Sequence, residues 1–189
     1  EPSGDFGAAD FDGSGGLKIH SHLFPSANTA IAFLRGEDAV VRAHQDFLAG
    51  VLRVDIFGIK DEGSITGKLT APLRPAVPVL RPGKTVLLET VIRTRKMGHL
   101  FTEGTADSNE IWMDVTVTAG DTVIGRSGAM NEVGEVDRWA HFVNTFMLDR
   151  EGRRINRRNA EDIFVPLYNH QIPPGAAQVV HYALELPED

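Results

Sequence analysis

The chain of 189 residues contains no cysteine. This absence excludes disulfide bonds, cysteine-ligated zinc sites, thiol catalysis and the covalent attachment of a c-type haem within the chain. Cysteine usage therefore says nothing about the compartment, since exported and cytosolic domains can both lack this residue.

Long apolar runs and an excess of positive charge are also missing. No apolar run approaches the ~20 residues that span a bilayer, so no membrane span is predicted, and no signal peptide is recognisable. The formal net charge is −7. A polyanion needs a dense positive face, so nucleic acid is not an expected partner. The first residue is Glu1, which leads us to expect a fragment of a longer protein.

Apolar residues make up 42% of the chain, enough for a folded core. Strong β-formers are interrupted often by glycine and proline, and several segments alternate with a period of two. We predict a mostly β fold, an antiparallel β-sandwich of Ig-like or jelly-roll-like type, with a short N-terminal helical segment. The predicted strands are Val51–Lys60, Lys84–Arg95, Ile111–Thr118, Thr122–Ile124, Phe142–Leu148, Arg153–Ile155 and Gln178–Leu186.

The domain organisation follows from composition. Residues 1–16 are small, polar and glycine-rich, which is typical of a flexible linker. Residues 17–189 are predicted to form one β-sandwich domain. Its helical segment lies at about 27–50, with Ser26 as a cap and Gly50 as a stop. Prolines at 72, 75, 78 and 82 space out a stretch expected to run at a sheet edge.

Two histidine segments are candidates for a metal or cofactor site. His20 and His22 are two residues apart, which on a strand places both rings on one face, where they could serve a metal. From the spacing alone, a surface pair in a loop is the preferred interpretation. His99 follows a long strand, between Gly98 and Gly104, which we expect to let the loop bend sharply. An imidazole on such a loop suits a metal or haem iron. The alternative is a ring that hydrogen-bonds the loop backbone.

Polar residues follow the His99 loop directly. Asp107, Asn109 and Glu110 could brace this loop, fix the tautomer of an imidazole, or offer oxygen ligands to a hard cation. Of these roles, bracing the loop is the preferred interpretation. His44, His141 and His181 are interpreted as packing or surface residues.

Catalytic signatures are missing as well. The sequence has no G-x-S-x-G nucleophile elbow, and no pair of carboxylates stands out as a general acid and base. The chain is therefore not expected to be an enzyme.

Three segments in order resemble parts of the non-haem β-domains of bacterial multihaem cytochromes c. Residues 96–112 (KMGHLFTEGTADSNEIW) resemble the family stretch G-H-x-F-P-T-G…D…E-x-W. Residues 20–31 (HSHLFPSANTAI) resemble S-H-x-F-x-x-A-N-T-A, and residues 162–184 resemble the closing strands. The resemblance covers roughly residues 17–187. Thr102 and Glu103 stand where the family motif has Pro-Thr.

The resemblance implies an accessory, non-catalytic domain of an exported electron-transfer protein, located in the periplasm or at the cell surface. Haem c is expected on Cys-x-x-Cys-His motifs in flanking parts of the polypeptide, with no haem bound covalently in this fragment. The implied partners are that haem-bearing segment and redox proteins. The domain would cover haem edges and donate a distal imidazole, with His22 and His99 the first candidates and His20 next.

Two hypotheses from other classes stay open at this stage. A free-standing adhesion or carbohydrate-binding module would need exposed aromatic side chains, but aromatics make up only 7% of the chain. Trp112 and Trp139 also lie in segments that we expect to be partly buried. A metal-dependent enzyme would use His20, His22 and His99 as a three-imidazole site.

Overall fold

A computed structural model describes residues 7–19, 29–75, 77–102, 108–156 and 159–188. The chain divides into two compact units, Glu1–Ala49 and Gly50–Asp189. The predictions of a linker over 1–16 and of one domain over 17–189 stay predictions. Within the described residues, no helix has the length and apolar character needed to cross a membrane.

The described residues of the first unit include two short helices. Helix α1 spans Ala30–Leu34 and α2 spans Asp38–Leu48. The helical segment predicted at about 27–50 is therefore present as two helices, the first beginning at Ala30 and the second ending at Leu48. The chain leaves α2 at Gly50, whose φ of 73° lies in the left-handed region that ends helices without strain on a side chain. Ala9 and Lys18 exchange two backbone hydrogen bonds around a turn in the preceding segment.

The second unit is built on a four-stranded antiparallel sheet. Its strands are β1 (Leu52–Lys60), β2 (Leu69–Thr70), β3 (Thr85–Thr94) and β9 (Ala177–Glu185), in the order β2-β1-β3-β9. Strand β3 alternates as its sequence predicts. Its side chains at 86, 88, 90 and 92 face the core, because branched and apolar residues recur there every second position.

Two smaller sheets lie in the described part of this unit. Strands β4 (Val115–Ala119) and β5 (Thr122–Ser127) form a hairpin that turns at Gly120, where φ is 57°. Strands β6 (Thr145–Leu148), β7 (Arg154–Ile155) and β8 (Val165–Asn169) form an antiparallel sheet in the order β7-β6-β8. Pro166 is tolerated in β8 because that strand lies at the edge of its sheet.

Apolar side chains form two core clusters in the second unit. Ile59, Val86 and Leu184 come from three neighbouring strands, and Val117 and Ile124 of the β4-β5 hairpin pack against them. The other cluster joins Ile92 of β3 to three residues from loops, which are Met113, Val143 and Ile172. Val143 and Ile172 are fully buried. These loops are therefore held to the sheet by apolar packing, which positions the polar groups that they carry.

The β-rich, antiparallel character predicted from the sequence is confirmed. Some boundaries were predicted wrongly. Residues 111–114 are not a strand, because only Trp112 makes an isolated bridge, to Phe142, before β4 begins at Val115. Similarly, the strand predicted from Phe142 begins at Thr145, where pairing with β8 starts.

Candidate functional site

The His99 loop leaves the end of β3 and reaches the surface. The ring of His99 is exposed, and its Nδ1 lies 3.1 Å from the carbonyl oxygen of Leu100. An imidazole that donates from Nδ1 to a carbonyl is the tautomer that coordinates metals through Nε2. Gly98 differs from expectation: its φ lies outside the left-handed region, and a Cβ built on it meets nothing within 4 Å. A glycine is therefore not required at this point of the loop.

The far end of this loop is anchored by backbone hydrogen bonds. Phe101 and Ile172 form a two-bond bridge, with N–H to O distances of 2.9 and 2.7 Å. Ile172 is fully buried, and Phe101 packs against the same core cluster. The exposed His99 is thus two residues from a fixed point, which limits how far its ring can move.

The polar residues after the loop connect it to the β7-β6-β8 sheet. Asn109 lies within hydrogen-bond reach of the loop, with Nδ2 3.5 Å from the carbonyl of Thr102, and its own carbonyl accepts from Asn144 at 3.4 Å. Glu110 pairs with Arg154 of β7, 2.6 Å from its guanidinium. Asp107 lies outside the described residues, as do His20 and His22.

A second group of side chains lies beside the anchored end of the loop. The rings of His141 and His170 stack, with centroids 5.5 Å apart and planes inclined by 13°. The ring of Tyr168 is 4.7 Å from that of His170, and its hydroxyl donates to Oδ1 of the buried Asn144 at 3.2 Å. We call His141, Tyr168 and His170 the ring cluster. It is continuous with the His99 loop, because His170 precedes Ile172 of the bridge by two residues.

Hydrogen bonds fix the tautomers of both imidazoles in the ring cluster. Gln178 of β9 donates from Nε2 to the carbonyl of His170 at 2.8 Å, so its Oε1 faces His141 and accepts from Nε2 of that ring at 3.0 Å. His170 donates from Nδ1 to the carbonyl of Phe142 at 3.1 Å. His141 therefore carries a lone pair on Nδ1, and His170 carries one on Nε2.

The surroundings of the ring cluster shift two pKa values. Burial lowers the pKa of His141; the hydrogen bond to Gln178 opposes this, and charge on His170 adds to it. Burial also raises the pKa of Tyr168. Both shifts favour the neutral forms of His141 and Tyr168, which therefore serve as hydrogen-bonding groups rather than as charges.

The sequence alone did not predict that the residues of the ring cluster lie close together. His141 was interpreted as a packing or surface residue, and no local pattern linked it to His170, which is distant in the chain. The expectation for Trp139 was wrong, because its side chain is 83% exposed, with the guanidinium of Arg138 5.7 Å from the ring centroid. Trp112 is partly buried as expected and donates from Nε1 to the carbonyl of Gly128 at 3.0 Å.

The three-imidazole metal site stays a prediction, since His20 and His22 lie outside the described residues. Among the residues that are described, no three histidine, aspartate or glutamate side chains are grouped to hold a metal ion. The arrangement can present one imidazole from an anchored loop, beside aromatic and hydrogen-bonding groups. No protein-family model matches the chain, and no curated protein or solved structure matches it either.

Proposed function

We propose that this chain is an accessory, non-catalytic domain of an exported multihaem c-type cytochrome, in which its β-sheets form a sandwich that covers haem edges. Its place would be the periplasm or the cell surface, where haem-bearing parts of the same polypeptide pass electrons to redox partners. The proposal rests on the resemblance of three segments to that family. The observation that carries it is the exposed His99 on a loop anchored by the Phe101–Ile172 bridge.

The residues of the chain suit the role of a distal ligand donor. A haem bound by a neighbouring segment would supply the redox chemistry. The carbonyl of Leu100 holds the Nδ1 side of the His99 ring, which is the side that faces away from a metal when Nε2 coordinates. Because the anchored loop has already lost much of its conformational freedom, ligation from it would cost little further ordering.

The parent family is tested by the absorption spectrum of the full-length protein. We expect the bands of c-type haem in that protein, and a colourless, redox-silent product when residues 1–189 are expressed alone. A full-length protein without c-type haem bands would contradict the proposal.

The role of His99 is tested in the same full-length protein. His99→Ala should convert one low-spin ferric haem to the high-spin form, seen in the absorption and electron paramagnetic resonance spectra. His170→Ala is the matched control, since that ring is also exposed and also lies 3.1 Å from a backbone carbonyl through Nδ1. Haem spin states that are unchanged by His99→Ala, or changed equally by both substitutions, would contradict ligation by His99.

A second candidate function is favoured by one observation. Trp139 is 83% exposed, and an exposed indole is a stacking platform for a sugar ring. A glycan-binding module would lose binding on an array when Trp139 is replaced by Ala, whereas Trp112→Ala would act through stability. Absence of glycan binding by the intact chain would remove this candidate.

The metal-dependent enzyme is tested by metal analysis of the purified chain. This hypothesis requires stoichiometric zinc, copper or iron in the protein.

A further inference from the structure

Strand β1 has an open edge over half of its length. On the side away from β3, it pairs with β2 only at Ile59 and Lys60, and Phe57 accepts a hydrogen bond from Leu73. In the part of the chain that the structure describes, no strand pairs with that side of Leu52–Ile56. This five-residue segment thus presents a row of unpaired backbone groups along its open edge, a template for another strand.

The hydrogen bonds to β3 determine which backbone groups point outward. Val51 accepts from Arg95 at 2.8 Å, so this opposing pair is hydrogen-bonded. Opposing pairs alternate along an antiparallel ladder, and no register shift occurs between Leu52 and Ile56. The N–H and C=O groups of Arg53 and Asp55 therefore point to β3, while those of Leu52, Val54 and Ile56 point to the open edge.

The side chains of this segment differ between the two faces of the sheet. Val54 and Ile56 lie opposite Ile92 and Thr90, which are buried, yet their own side chains are 52% and 64% exposed. Arg53 and Asp55 lie on the other face and form an ion pair with an N–O distance of 2.6 Å. A further strand beside β1 would cover the side chains of Val54 and Ile56, which are now an exposed apolar patch at the edge of the sheet.

The sequence of the segment, Leu-Arg-Val-Asp-Ile, is complementary to itself about Val54. We propose that β1 pairs antiparallel with β1 of a second copy of this chain, about a twofold axis at Val54. Val54 then lies opposite Val54 of the second copy, Leu52 opposite Ile56, and Arg53 opposite Asp55. Apolar side chains meet on one face, and opposite charges meet on the other.

The outward backbone groups match this register. The Val54 pair and the two Leu52–Ile56 pairs all consist of residues whose N–H and C=O groups point to the open edge, so each pair exchanges two hydrogen bonds. The two Arg53–Asp55 pairs are the non-hydrogen-bonded kind, in which the Cα atoms are closest, about 4.5 Å apart. A register shifted by one residue would place apolar side chains against charged ones. The joined sheet would have eight strands.

Charge reversal tests the register in the intact chain. Sedimentation velocity from about 1 μM to about 500 μM should detect a dimer of the unchanged chain. Arg53→Asp places like charges opposite each other in both symmetry-related pairs, so the dissociation constant should rise by at least about tenfold, and Asp55→Arg should act equally. The double variant Arg53→Asp/Asp55→Arg restores opposite charges and should restore the dimer. Arg81→Asp, at an exposed position outside β1, is the control that should change nothing.

Oxidative crosslinking provides an independent measurement. Because the chain has no cysteine, Val54→Cys introduces a single thiol per copy. Hydrogen-bonded antiparallel pairs have Cα atoms about 5.5 Å apart, within the range of a disulfide. Val54→Cys should form a covalent dimer on mild oxidation. Val123→Cys, exposed on the β4-β5 hairpin, should remain monomeric at the same concentration.

Three results would overturn the proposal. The first is an unchanged chain that stays monomeric over the whole concentration range. The second is a dimer that both single charge reversals leave intact. The third is a double variant that has the melting temperature of the unchanged chain but dimerises as weakly as the single variants. A dimer restored by the double variant and crosslinked only through position 54 would support it.

Discussion

His181 on β9 lies directly opposite Glu89 on β3, and Nε2 of the imidazole is 3.0 Å from Oε2 of the carboxylate. The ammonium of Lys60, on β1, is 3.6 Å from the same oxygen. Glu89 is only 8% exposed. One buried carboxylate thus joins three neighbouring strands through polar contacts on the face opposite the core clusters.

Removing this carboxylate should destabilise the sheet. Glu89→Ala removes the partner of His181 and one of two partners of Lys60, which also donates to the carbonyl of Ile65 at 2.8 Å. Because these polar groups are partly buried, we expect the free energy of unfolding to fall by about 2 kcal/mol. Urea denaturation measures this change. Glu132→Ala, at an exposed position, should stay within about 0.5 kcal/mol of the unchanged chain. Equal effects of the two substitutions would show that the Glu89 contacts carry no stability.

The lowered pKa of His141 predicts a dependence of stability on pH. The unfolded chain binds a proton at His141 at higher pH than the folded chain, because burial disfavours the charged ring. The contribution of this residue is therefore fully present above the unfolded pKa and is lost as pH falls from about 6.5 towards the folded pKa.

This dependence is measured by urea unfolding of the chain and of His141→Gln at about pH 7.5 and about pH 5. The unchanged chain should lose more stability over this interval than the variant does. A variant that loses as much stability as the unchanged chain would contradict the assignment.

The buried amide of Asn144 should stabilise the ring cluster through two contacts. It accepts from Tyr168 at 3.2 Å, and its Nδ2 lies 3.4 Å from the Asn109 carbonyl. Asn144→Ala should lower the free energy of unfolding by about 2 kcal/mol, because both partners lose their bond and a cavity forms. Tyr168→Phe removes one hydroxyl only and should cost about 1 kcal/mol. A larger loss for Tyr168→Phe than for Asn144→Ala would be inconsistent with these contacts.

Substitutions at two glycines with nearly equal φ distinguish the free-energy cost of backbone strain from the cost of a steric clash. Gly128 has φ 80°, and a Cβ there would lie 2.1 Å from the carbonyl oxygen of Met113. Gly134 has φ 83°, and its Cβ would meet nothing within 4 Å. Gly134→Ala should cost about 1 kcal/mol from backbone strain, and Gly128→Ala about 3 kcal/mol. Thermal and urea unfolding compare the two, and equal losses would refute the close approach of Met113.

Much of the fold could be predicted where the signal is local. The period of two in β3 placed residues 86, 88, 90 and 92 on one face, and the structure has them facing the core. The helix stop at Gly50 followed from the tolerance of glycine for positive φ. Strand β8 was not predicted from periodicity, because Pro166 argues against a strand unless its edge position is known.

The candidate site depended less on local pattern. The sequence singled out His99, and the structure places it exposed on a loop. The bridge that anchors the loop, Phe101–Ile172, joins residues that no periodicity relates. The stack of His141 on His170 likewise has no local signal, because His170 follows the end of β8 and His141 lies in the loop that precedes β6.

The antiparallel β-rich character and most strand positions can be predicted from local sequence, because each depends on the φ, ψ and burial preferences of neighbouring residues. Three features appear only in the folded structure, namely the stack of His141 on His170, the burial of the Glu89 carboxylate and the open edge of β1. These features depend on pairings between residues far apart in the chain, and the free energy of such a contact depends on both partners at once.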